Sequence, residues 1–92
     1  MNLLNKWVLN IDKSSDFAML SRVYVYDGKY YKAVTWTKEG LVFCEWQEEE
    51  FFDGYIDVTD ICLEYLKREN IKINDFSQED ALKIFSILEH KK

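Results

Sequence analysis

The sequence predicts an α+β domain, an antiparallel three- or four-stranded meander followed by two C-terminal helices packed on one face. Three observations lead there. Glycine-marked turns divide residues 21–46 into β-rich runs, and apolar residues after Asp57 recur at helical spacing. Ninety-two residues hold one hydrophobic core and not two, and no proline, repeat or Ser/Gly-rich linker divides them, so 1–92 is read as one domain.

In chain order, Trp7 to Ile11 reads as a fourth strand, and Asp16 to Leu20 is open between a short helix and extended chain. Asp27-Gly28 is the strongest short hairpin signal, with both turn residues expected at positive φ, so Ser21–Tyr26 and Lys29–Thr37 should pair. Lys38-Glu39-Gly40 is a three-residue loop with glycine at its left-handed position, returning the chain as Leu41–Trp46. If Val25 faces Tyr30 and Trp36 faces Val42, alternation puts Val23, Val25, Tyr30, Val34, Trp36, Val42, Cys44 and Trp46 on the core face. Arg22, Tyr24, Tyr31, Ala33, Thr35, Phe43 and Glu45 then make the other face.

Beyond Gly54, which follows Asp53 in a further turn signal, Val58, Ile61, Cys62, Tyr65 and Leu66 form one helical stripe. Asp57 or Thr59 would cap this helix and Asn70 would end it. Ser77 caps a second helix with Asp80 three residues on, Phe76 staples onto Ala81, and the buried stripe is Ala81, Ile84, Phe85 and Leu88.

The residue types that catalysis needs are sparse. The only histidine, His90, sits beside Lys91 and Lys92, where a fraying helix end gives no burial to tune it. Cys44 and Cys62 are too far apart for a zinc ribbon or a redox pair and read as reduced core thiols. The three glycines are used in turns, leaving none for a phosphate cradle. No nucleophile, metal or cofactor is therefore expected, and the protein reads as a non-enzyme. The first nine residues lack the basic start and apolar run of a secretory signal, and no apolar run is long enough to span a membrane, so a cytoplasmic protein is expected.

The charge is concentrated. The chain carries −5 overall, which disfavours direct binding to nucleic acid. Residues 1–38 are net +3 and residues 81–92 net +2, whereas 39–80 hold thirteen acids against three bases, net −10. Clustering of this kind incurs self-repulsion that mixed signs would avoid. Within it, Glu45, Glu48, Glu49, Glu50 and Asp53 interleave with Phe43, Trp46, Phe51, Phe52 and Tyr55, a mixture of acceptor charge and aromatic anchors that suits an interface. Asp57 and Asp60 also suit a helix start, where negative charge complements the dipole.

An acidic face recognises a basic one, and carboxylates spaced along a rigid edge can occupy the Lys and Arg of a DNA-binding cleft. In size and charge distribution the chain resembles the phage-encoded acidic DNA-mimic anti-restriction proteins. The resemblance implies a dimeric DNA mimic that blocks a host restriction endonuclease, with Glu45, Glu48, Glu49, Glu50, Asp53, Asp57, Asp60 and Glu64 standing in for phosphates. Glu69 and Asp75 are weaker candidates. The partner expected is a basic DNA-binding protein or nuclease, and a homodimer could form through an exposed strand edge or the Tyr24–Tyr31 face. The same acids fit an antitoxin or immunity protein facing a basic toxin, or a small acidic interaction domain.

Overall fold

A computed structural model describes residues 2–12 and 17–90. Strands β1 (Trp7–Asp12), β2 (Phe17–Tyr26), β3 (Tyr30–Thr37) and β4 (Val42–Glu48) form the meander. A 3-10 turn (Glu49–Phe52) leads to the two-residue β5 (Ile56–Asp57), then α1 (Thr59–Arg68), a second 3-10 turn (Ile73–Asp75) and α2 (Gln78–His90). The sheet has five antiparallel strands in the order β4-β3-β2-β1-β5, so the chain crosses from one edge to the other between β4 and β5. The α+β architecture with two C-terminal helices is as the sequence predicts, with β5 added. Residues 17–20, open in the sequence, are strand; Asp16 lies outside the described residues.

The second hairpin has the expected register, with Trp36 opposite Val42 and Gly40 at φ 85°. The first does not. Only Gly28 takes positive φ (97°), and Asp27 instead closes the turn by accepting hydrogen bonds on Oδ1 from Lys29 N (2.9 Å) and Tyr30 N (2.6 Å). Asp27 is the residue before the turn, and those amide bonds hold its carboxyl below the usual carboxylate range. Val25 therefore pairs with Lys32 rather than Tyr30, a shift of two positions that keeps its face. A bulge between Val23 and Val25 then makes the shift odd, and Val23, opposite Ala33, turns to the other face.

Both faces are buried. Trp7, Leu9, Leu20 and Trp36 meet Val58, Cys62, Tyr65, Phe76, Ile84 and Phe85 from the helical half. The Trp7 and Trp36 rings stack at 5.9 Å, and Phe76 sets its edge against both at 4.9 and 4.8 Å. The opposite face packs Val8, Val23, Tyr31 and Ala33 under Leu3 and Phe52. Tyr31 and Ala33, expected on a surface face, are thus core, because the crossing segment covers them.

The stop of α1 and the start of α2 follow the sequence, whereas the N-cap position of α1 is Val58, with no side-chain cap, and not Asp57 or Thr59; Asp57 lies one residue further out and accepts from Thr59 N. Asn70 at φ 54° ends α1 in a Schellman motif, with Ile71 N donating to Leu66 O and Asn70 N to Lys67 O. Ser77 and Asp80 form a reciprocal capping box: Asp80 N donates to Ser77 Oγ (3.3 Å) and Ser77 N to Asp80 Oδ2 (2.9 Å). Asp80 also accepts from the Tyr65 hydroxyl at 2.7 Å, tying the two helices together.

Candidate functional site

The acidic segment is held by its aromatic residues. Phe52 is fully buried, with its ring edge-on to Tyr31 at 5.8 Å, and Phe51 and Tyr55 pack half-buried beside it. These contacts fix the 3-10 turn against the sheet and leave its acidic first turn in solvent. Asp53 N donates to Glu50 O, and the Asn10 amide donates to Asp53 O at 3.3 Å, so the backbone is anchored on β1 as well.

Four carboxylates, Glu48, Glu49, Glu50 and Asp53, line one open hollow of about 580 Å³ with Lys29 from the first hairpin turn. Glu45 is exposed and lies opposite Ala33, on the face that this turn covers. Among the described residues, Glu45, Glu48, Glu50 and Asp53 make no ion pair. Four exposed acids thus line this hollow together with Lys29, and Glu45 stands on β4 outside the lining.

The other three acids are elsewhere. The Asp57 carboxylate accepts from Thr59 Oγ1 (2.6 Å), Thr59 N (3.0 Å) and Lys6 Nζ (3.0 Å). Chiefly through the two Thr59 bonds, its carboxyl is held down to about 2. That fixes the start of α1 and bridges it to the segment before β1, so this acid is structural. Asp60 and Glu64 are exposed on α1, which packs on the opposite face of the sheet. Of the weaker candidates, Glu69 lies 3.8 Å from Arg68 and Asp75 is exposed in the second 3-10 turn. The eight candidates therefore do not share one ridge; four line one hollow, Glu45 lies along β4 outside it, and three lie apart.

The thiols also separate. Cys62 is core as expected, and burial pushes its thiol up to about 12. Cys44 is exposed, contrary to expectation, and so are its same-face neighbours Val42 and Trp46. The reason is reach: α1 rests on β1 and α2 on β3, and neither extends over the edge strand β4. Helices pack 8–10 Å apart and strands about 4.8 Å apart, so two helices cover about four strands of the five. The sequence shows at most four strands, which two helices would cover, so the uncovered strand follows from β5, which the sequence does not reveal.

His90 is exposed at the end of α2. Among the described residues, no group of three His, Cys, Asp or Glu is placed to hold a metal ion. None of the helices described is long and apolar enough to cross a membrane. An apolar cleft of about 550 Å³ lies between Leu9, Ile56, Val58, Phe85 and Leu88, with the Lys38–Glu89 ion pair at its rim and none of the candidate acids in its lining. Compared with protein families, curated proteins and solved structures, the chain matches none.

Proposed function

We propose that this protein is a non-enzymatic inhibitor that inserts the acidic face formed by Glu45, Glu48, Glu49, Glu50 and Asp53 into a basic DNA-binding cleft, in the manner of a DNA mimic. The observation that carries this reading is the gathering of Glu48, Glu49, Glu50 and Asp53 around one hollow, on a segment pinned by Phe52. Rigidity matters because a preorganised array of charge loses little freedom on binding. The target is a protein that reads the phosphate backbone, such as a host nuclease. The molecule is 33 Å across, about one turn of duplex at roughly 34 Å, so one copy occupies a cleft of that length at most.

The test is inhibition and binding of a purified DNA-cleaving restriction enzyme by the wild type and by the Glu48→Gln/Glu49→Gln/Glu50→Gln variant. The reading expects binding that weakens steeply with salt, competition by duplex DNA, and loss of potency in a variant that still folds. Unchanged potency in the triple variant refutes it. Binding to a small basic toxin without DNA competition selects the antitoxin reading of the same acids.

A further inference from the structure

Among the described residues, strand β4 pairs with β3 alone and its other edge is open. Thr37 N donates to Leu41 O, so by the alternation of an antiparallel ladder residues 41, 43, 45 and 47 address β3, while the backbone groups of Val42, Cys44, Trp46 and Glu48 point outward. The side chains of Val42 and Trp46, on the uncovered helix-side face, are 46% and 50% exposed, and Leu41 just before the strand is 58% exposed. Natural edges are blunted by charge, above all lysine, or by proline, a bulge or short length, and of these β4 (VFCEWQE) has only Glu45 and Glu48.

We propose that this edge binds a second copy of the chain, with β4 pairing antiparallel to β4 about a two-fold axis at Cys44. The opposite edge, β5, offers only two residues, so β4 is the one long edge described and its self-pairing closes at two copies. Charge sets the register. An axis at Glu45 would place the two Glu45 side chains face to face, which is unfavourable. An axis at Cys44 instead sets Val42 against Trp46 of the second copy, twice by symmetry, and Glu45 against Phe43. Residues 42–46 of each copy then lie opposite one another, and five residues at about 3.4 Å each give roughly 17 Å of paired edge. Cys44, whose sulfur is 2.6 Å from the Tyr24 hydroxyl, then faces its own mate. Their Cα separation in such a hydrogen-bonded pair is about 5.5 Å, within the range a disulfide spans.

The proposal does not depend on the acidic face. Salt screens the repulsion between two acidic copies and so does not weaken their pairing, whereas it weakens insertion into a basic cleft, so the two fail separately. Sedimentation equilibrium of the full chain, from micromolar to millimolar, should show a monomer–dimer equilibrium that added salt does not weaken. Val42→Lys and Trp46→Lys, both at exposed positions, should each weaken it about tenfold, since each removes both symmetric Val42–Trp46 pairs and adds two cations. Diamide, which takes two electrons and two protons from a thiol pair, should link the dimer through Cys44 and fail with Cys44→Ser. A chain that stays monomeric overturns the proposal, as does a dimer indifferent to both lysine substitutions or one that Cys44 cannot link. Protection of the Cys44 thiol by the inhibited target, but not by rising self-concentration, would give the edge to that target and overturn it as well.

Discussion

Asp57→Ala separates a structural carboxylate from a recognition carboxylate within one acidic segment. The substitution removes the bonds from Thr59 N and Thr59 Oγ1 and the ion pair with Lys6. Loss of a helix-start acceptor of this kind costs about 1 kcal/mol. Linkage gives a second route to the magnitude. A carboxyl held at about 2 against an ordinary 3.8 would contribute about 2.4 kcal/mol if fully shielded. The side chain is 44% exposed, so screening reduces this to about 1 kcal/mol, in line with the first figure and describing the same bonds. The folded-state value is the lower one, so the stabilisation is complete above about pH 4, fades as pH falls through the window to about 2, and is absent below it. Urea unfolding at a series of pH values should show a wild-type advantage of about 1 kcal/mol at pH 7 that falls to about half near pH 3. Thermal unfolding at pH 7 should differ by roughly 4–8 °C. Inhibitory potency should not change. A difference below about 0.3 kcal/mol at neutral pH, or one constant with pH, refutes the assignment.

Phe76→Ala should cost about 3–5 kcal/mol in urea unfolding, because the ring is buried and set edge-on to Trp7, Trp36 and Tyr65; a cost below about 2 would show that these aromatic contacts close over the gap. Gly40→Ala should cost about 1–2 kcal/mol, since alanine must be held at φ 85° in the second hairpin loop, although its methyl group meets nothing within 4 Å; a neutral result would mean that the loop relaxes. With a chromogenic disulfide reagent, Cys44 should react at once and Cys62 only on unfolding; two fast thiols would refute the burial of Cys62.

The helical half was legible because its signals are local. The stripe Val58, Cys62, Tyr65, Leu66, with Ile61 half-buried at its margin, the Asn70 stop and the Ser77–Asp80 box each lie within a few residues of one another, and each occurs where its spacing puts it. Sheet facing was less legible because it depends on register, which one bulge resets: Val25 kept its face and Val23 did not. Cys44 and Trp46 were misplaced because alternation tells which face a residue shares and not whether anything covers that face. The acids were legible as a count and not as an arrangement. Glu48, Glu49 and Glu50 are adjacent in the chain and stay together, whereas Asp57 ends β5 and is tied to Thr59 and Lys6, and Asp60 and Glu64 travel with α1 to the other side of the sheet.

The bulge at Tyr24 acts as a phase shift in the strand. Upstream of it, even-numbered residues of β2 such as Ala18 and Leu20 feed the helical core; beyond it the odd-numbered Val25 takes that side, and Tyr26 stacks on Tyr31 at 4.6 Å in the opposite layer. The hairpin tip and the strand base are thus written in opposite parity. Removing that single residue would set Val23 opposite Ala33 and Val25 opposite Lys32 as consecutive pairs, so the ladder would run on unbroken with every tip side chain on its present face, a slack that no regularly paired position of the strand possesses.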